Sequence, residues 1–247
     1  MVDHQFADAR LAGLYDLLFP GESRTDFGFY LPLIMSARSV LDVGCGTGLL
    51  LRTARDAGHT GRLCGLDPAA GMLDQGRGRP DIEWILGDLG SAGWDQEFDL
   101  IVMTGHAFQV LVGDDELRVS LAAIRSALTL DGRFAFETRN PQARAWEGWT
   151  PDRVSEVTDP AGAVVQMWHQ VQTPAGGDIV RFTTTYASPG WDLPQVSRST
   201  LRFLGTDALA GFLADAGLAV AEQFGDWDRR PVTSASLEII TLARRVS

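Results

Sequence analysis

Long apolar runs are missing from this chain. The longest are strand-length, far short of the ~20 residues a helix needs to cross a bilayer, so no membrane span is expected. The first ten residues carry two aspartates and no extended apolar stretch, which is not the pattern of a secretory signal. Cysteine is scarce. Cys45 and Cys64 are too few for a disulfide framework, and no His/Cys cluster has zinc-ligand spacing. These features predict a cytoplasmic protein without a metal. Net positive charge is lacking too. The formal charge of -11 repels nucleic-acid phosphates, and the basic clusters Arg77/Arg79, Arg229/Arg230 and Arg244/Arg245 are too small to reverse that. Internal repeats, low-complexity tracts and long linkers are also absent.

What is present is an ordinary apolar fraction of 45% over 247 residues, enough for one large α/β domain or one domain carrying an insertion. Residues 6–19 space Phe6, Leu11, Leu14, Leu17 and Leu18 as a helix would, up to the stop at Pro20-Gly21, and a second helix is predicted over 26–35. From residue 39, strands predicted at 39–43, 62–66, 82–86, 98–103 and 133–137 alternate with helices at 49–57, 69–75 and a long one ending at Leu128. Asp114 or Asp115 is the expected cap of that long helix, and Asp131-Gly132 its terminator. Such alternation means a parallel, doubly wound sheet with helices on both faces.

The pattern changes in residues 142–205. Strands alternating with period two at 164–173 and 178–188 flank Pro174-Ala-Gly-Gly177, and a third is predicted at 198–204. This reads as an antiparallel β meander inserted into an α/β domain made of residues 1–141 and 206–247. A helix capped by Thr206 and stopped by Gly217, then strands at 218–224 and 237–242, complete the chain.

The most informative segment is Val40-Leu-Asp-Val-Gly-Cys-Gly-Thr-Gly-Leu49, where the first strand meets the next helix. Glycines let the backbone turn sharply and approach a ligand, and open α/β sheets bind ligands at that end of the strands. The spacing is G-x-G-x-G, not the G-x-G-x-x-G of the dinucleotide fingerprint, and no Lys-Ser or Lys-Thr follows as in a P-loop. Asp42 precedes the first glycine by two residues, where it could accept from loop amides or from an ammonium group. Asp67, in Leu-Asp-Pro68 at the end of the second strand, can accept both hydroxyls of a ribose. Asp88, in Gly-Asp-Leu89 after the third strand, can meet an adenine amino group. Met72, one turn into the following helix, could cover an adenine face or simply fill the core.

At these residues, from about Val40 to Glu137, the sequence resembles class I S-adenosylmethionine-dependent methyltransferases of the small-molecule type. The resemblance implies a Rossmann-like seven-stranded sheet with its last strand antiparallel. It also implies a cofactor site of Tyr15, Asp42, Gly44, Cys45, Gly46, Asp67, Pro68, Met72, Asp88, Leu89 and Thr104. Tyr15 enters through the N-terminal helix that related enzymes use as a lid, and Cys45 stands at a loop position where cysteine is common. The inserted meander resembles the sheet that some sugar N-methyltransferases of antibiotic pathways add.

His106 follows the fourth strand, which in the resembled fold ends near the transferable methyl group. An imidazole there could take a proton from an amine or hydroxyl acceptor, its ordinary pKa lying near neutrality, or could only shape the pocket. His169, Tyr186, Trp146 and Trp168 are candidates for the acceptor wall or for sheet packing. The expected reaction is in-line methyl transfer to a small molecule, with a homodimer as a possible assembly. The alternatives are a module that binds S-adenosylmethionine without catalysis and a nicotinamide-dependent oxidoreductase on a similar sheet.

Overall fold

The computed structural model describes residues 2–172 and 177–246. The turn expected at Pro174-Ala-Gly-Gly177 lies mostly outside them. The chain runs through α1 His4–Ala7, α2 Ala9–Ala12, α3 Tyr15–Leu18, α4 Phe27–Ser36, β1 Ser39–Val43, α5 Leu49–Asp56, β2 Arg62–Asp67, α6 Ala70–Gly76, β3 Glu83–Leu86, β4 Phe98–Met103, α7 Asp114–Ala127 and β5 Leu128–Arg139. It continues through β6 Ser155–Thr158, β7 Val164–Val171, β8 Ile179–Ala187, β9 Gln195–Arg202, α8 Thr206–Asp215, β10 Leu218–Phe224 and β11 Glu238–Arg245.

Seven strands form one sheet in the order β10-β11-β5-β4-β1-β2-β3, and four form a second, β6-β7-β8-β9. In the first sheet only β11 runs against its neighbours, antiparallel to both β5 and β10. The strand order reverses between β1 and β4, which is where an open α/β sheet offers a ligand crevice. Both faces are covered. Ile101 and Met103 of β4 pack with Leu117, Leu121 and Ile124 of α7. Leu100 and Val102 of the same strand pack on the other face with Tyr30, Leu33 and Ile34 of α4 and Leu50 and Leu51 of α5. Burial on both faces is why β4 reads as an unbroken apolar run. Each such buried side chain contributes about 1.5–3 kcal/mol.

Several local expectations are corrected. Residues 6–19 are not one helix but three single turns. Asp8 is extended, and its carboxylate accepts from the backbone N–H groups of Arg10 and Leu11, both at 3.0 Å, so it caps α2 instead of continuing α1. The cap of α7 is Gly113, and Asp114, Asp115 and Glu116 occupy its first turn, where they oppose the positive end of the helix dipole. Gly205 rather than Thr206 caps α8. Asp131-Gly132 does not end an element: β5 runs through it, and the extra residues are absorbed by a register shift against β4 between Phe98 and Leu100. The meander has a fourth strand, β6, and its last strand starts at Gln195.

The N-terminal turns sit between the two sheets. Leu11 and Leu14 pack on Val165, Met167 and Tyr186 of the meander, while Phe6, Ala12 and Tyr15 pack on Ala69 and Met72 at the start of α6. Polar ties reinforce the first contact, with Ser199 Oγ on Asp3 at 2.5 Å and Ser197 Oγ accepting from the Gln5 amide at 3.1 Å. On its other side the meander meets the end of β4, where Gln109 Nε2 donates to the Arg202 carbonyl at 2.9 Å. The meander therefore lies over the C-terminal ends of the central strands.

Candidate active site

The Gly-rich loop is held over the end of β2. The N–H groups of Gly44 and Cys45 donate to the Leu66 carbonyl at 2.8 and 3.2 Å, and Gly48 N–H closes the turn onto the Cys45 carbonyl at 2.9 Å. Gly44, Gly46 and Gly48 all have left-handed φ, at 70°, 58° and 70°. Asp67 braces the loop from below, its two oxygens accepting from Gly46 N–H and Ala69 N–H at 2.8 Å each. Burial raises its pKa, and those two amides oppose the rise. Each carboxylate oxygen has a second lone pair, so the brace leaves capacity for a diol.

Asp42 is buried at the end of β1, and its Oδ1 has no hydrogen-bond partner among the described residues. Burial pushes its carboxyl well above the usual range, and the nearby Arg24 guanidinium pulls the other way. Arg24 is forked onto Asp26 at 2.8 and 2.6 Å. Asp42, Arg24, Tyr15, Gly44, Thr104 and Gly105 enclose a cavity of about 40 Å³, room for a few waters. A carboxylate wanting a cation, facing a guanidinium across a small polar cavity, is a fit for the ammonium and carboxylate of an amino-acid group. One side of this wall is α3, which Asp16 ties to the loop through Thr47 Oγ1 and to α5 through Arg52, both at 2.6 Å.

The remaining residues expected for a cofactor separate by environment. Met72 is buried under the loop, close to Gly46, and its neighbours Ala12 and Ala69 mark it as a packing residue that also floors the crevice. Pro68 and Asp88 are exposed at the rim, Asp88 in a turn in which it accepts from Ser91 N–H at 3.0 Å. The Leu89 side chain is in the core with Val43 and Leu66, which leaves only its backbone for a ligand. Thr104 is buried at the end of β4, and the Cys45 thiol is pushed up by burial and is no nucleophile.

His106 is half-buried, with a left-handed φ of 65° rare for a non-glycine residue. Two carboxylates hold it there. Glu137 Oε1 accepts from its backbone N–H at 2.8 Å, and Glu238 Oε2 lies 2.9 Å from its Nε2. Glu137 is completed by the Tyr30 hydroxyl. The expectation of an imidazole titrating near neutrality is corrected: burial, with the Arg139 charge behind it, drives His106 down to about 3, while burial raises Glu238 to about 7. Burial thus shifts the pair away from its usual order, disfavouring charge on the imidazole and on the carboxyl alike. His169 also reaches this side, within 6.2 Å of the Trp149 ring and bonded to Thr184 Oγ1 at 3.0 Å. Tyr186 packs in the core of the meander, and Trp146 stacks edge-on with Phe203. Glu137, Glu238, Arg139, Tyr30 and Arg24 had not been singled out from the sequence. A charged residue ending the apolar run Phe134-Ala-Phe136 was the available signal for Glu137.

Residues 40–132 match the methyltransferase domain family. Over that stretch the chain is similar to methyltransferase domains. It is 28% identical over 195 residues to the dTDP-3-amino-3,6-dideoxy-alpha-D-glucopyranose N,N-dimethyltransferase of Streptomyces fradiae, covering 74% of this chain and 72% of that one. Among solved structures, the CcbJ methyltransferase of Streptomyces caelestis superposes with a TM-score of 0.77 at 21% identity over 98% of both chains. CalS10 of Micromonospora echinaspora, an amino pentose methyltransferase solved with S-adenosylmethionine bound, gives 0.68 at 21% identity over 94% of this chain and 97% of that one. The chain spans about half the length or less of the first curated relatives it matches. Among the described residues no three His, Cys, Asp or Glu side chains are grouped to hold a metal, and no helix is long and apolar enough to cross a membrane.

Proposed function

We propose that this protein transfers a methyl group from S-adenosylmethionine to a small-molecule acceptor. The observation that carries the reading is the unpartnered buried oxygen of Asp42 facing Arg24 beneath a G-x-G-x-G turn, with Asp67 at the next strand end. When bound, the cofactor supplies a methyl group already activated by the sulfonium charge. The protein's own task is to orient the acceptor, exclude water and take up a proton where the acceptor brings one. Asp42 and Arg24 would hold the amino-acid end, Asp67 the ribose, and Asp88 the rim near the base. The meander with α1–α3 would close the acceptor side. Proton uptake falls to the His106–Glu238 pair rather than to His106 alone, because an imidazole at about 3 is a weak base and a carboxylate at about 7 is matched to neutral pH.

The test is calorimetry with S-adenosylmethionine followed by incubation with isotope-labelled cofactor and a metabolite extract of the host. Label in a product of raised mass supports transfer. Cofactor bound without transfer would favour a binding module, and NADH binding in its place an oxidoreductase. Asp67→Ala is expected to weaken cofactor binding by about 1.5–3 kcal/mol through one lost charge-assisted bond, with the loosened Gly46 amide adding to it. Unchanged affinity would remove Asp67 from the site. Glu238→Gln is expected to lower turnover about a hundredfold or more at neutral pH with cofactor affinity unchanged. In the parent, activity should rise with pH as Glu238 ionises near 7. A Glu238→Gln profile that keeps this inflection would place the proton acceptor elsewhere.

A further inference from the structure

Arg139 is the last residue of β5, half-buried where the strand ends meet the meander. Other arginines bordering this region are neutralised: Arg24 is forked onto Asp26, and Arg202 is paired with Asp114 and Asp178, both at 2.7 Å. Arg139 has no carboxylate within ion-pair distance among the described residues. Its guanidinium donates one hydrogen bond there, from Nη1 to Gln109 Oε1 at 3.0 Å, out of five N–H groups. The two acids that could have neutralised it are turned away. Glu238, directly across the strand pair, faces His106 Nε2, and Glu137 is shared between Tyr30 and the His106 backbone. A guanidinium keeps its charge in such a half-buried site, and its unused donors are open to something that completes them.

The surroundings say what that is. The Arg139 Cζ lies 5.2 Å from the centroid of the Trp149 ring, which packs on Phe182 at 4.7 Å and near His169 at 6.2 Å. On the other side Arg139 is within electrostatic reach of Tyr15, in the wall of the cofactor cavity, and of His106. A ligand on Arg139 would therefore lie between the aromatic face of the meander and the place where methyl transfer is proposed. We infer that the methyl acceptor carries a carboxylate held by the Arg139 guanidinium beside the Trp149 ring, an assignment that rests on the methyl-transfer reading above. A fork of donors matches a carboxylate. A phosphate dianion would bring a second negative charge within reach of Glu137 and Glu238, which already share the field of this one cation.

The test uses the full chain with labelled S-adenosylmethionine and the host metabolite extract, resolved by anion exchange and identified by mass fragmentation. The expected labelled product is retained as an anion and loses a carboxyl group on fragmentation. With that acceptor, Arg139→Gln should raise KM about 10- to 100-fold with S-adenosylmethionine Kd within about twofold of the parent, and kcat is compared at alkaline pH, because losing the Arg139 charge lets Glu238 rise further. Arg139→Lys, which keeps the charge and loses the fork, should recover part of the KM. A neutral, cationic or phosphorylated labelled product overturns the assignment while methyl transfer stands, as does an Arg139→Gln enzyme of unchanged KM. If Arg139→Gln does not fold, the charge of the labelled product and the KM of Arg139→Lys decide. Absence of both cofactor binding and label overturns the methyl-transfer reading itself, and binding without label overturns transfer and this assignment together.

Discussion

Gly48→Ala is expected to destabilise the cofactor-free protein by about 3 kcal/mol, more than a methyl group does at most surface turns. Two independent costs converge on this position. Its φ of 70° is left-handed, which costs an L-residue about 1–2 kcal/mol. The added Cβ would also lie 2.1 Å from Trp84 Cη2 and 2.3 Å from Cζ3. The indole cannot easily retreat, because its Nε1 donates to the Arg79 carbonyl at 3.1 Å and its ring edge already fills the space beside Gly65 and Gly76. Overpacking of this kind costs about 1–3 kcal/mol. Urea denaturation of Gly48→Ala, Trp84→Leu and the double variant would separate the two costs. The double variant should be less destabilised than the sum of the singles, since the smaller side chain at 84 admits the new methyl group. A single-variant loss below about 1 kcal/mol would mean that Trp84 swings clear. Gly46 differs. A Cβ there meets the Met72 Cε at 3.1 Å, the flexible end of a side chain, so Gly46→Ala, with the same left-handed strain at a φ of 58°, should keep its fold better than Gly48→Ala while obstructing the crevice from the ligand side.

The same contrast explains what was legible in the chain alone. The Gly-rich turn, the place of Asp67 at the end of β2 and the sheet were readable because their signals are local: glycines two apart, an acid closing a strand, an unbroken apolar run. The acceptor side was mostly not. Tyr30 meets Glu137 across 107 residues, and His106 meets Glu238 across 132, so no spacing rule joins them. Arg139 follows directly on β5's apolar run and reads as an ordinary strand-end charge; its lack of a counter-ion exists only in three dimensions. His106 could be singled out from its place after β4, but its surroundings could not, because the burial and the Arg139 charge that lower its pKa depend on elements that arrive later in the chain. The N-terminal break was missed for a smaller reason: apolar spacing over residues 6–19 fits a helix, and one aspartate at position 8 diverts the backbone amides.

Asp42→Asn is expected to make the cofactor-free protein more stable at neutral pH and to weaken S-adenosylmethionine binding about a hundredfold or more. Both effects come from one buried oxygen. In the free protein Asp42 Oδ1 has no partner among the described residues, and burial lifts its pKa well above the ordinary 3.8. A folded-state pKa raised in this way contributes stability that is complete below the unfolded value and is lost as pH rises through the folded one. The parent should therefore lose stability with rising pH in that window relative to Asp42→Asn, whose amide does not ionise. Thermal melts of both proteins between about pH 4 and pH 9 would show the gap opening on the alkaline side. Binding reverses the balance. An ammonium beside Asp42 favours the carboxylate and draws its pKa down, so where the free protein holds that proton, cofactor binding releases it and affinity rises with pH. Calorimetry in buffers of different ionisation enthalpy should detect proton release in the parent that is absent from Asp42→Asn. If the variant gains no stability and binds cofactor as tightly as the parent, Asp42 is paired in solution and the ammonium sits elsewhere.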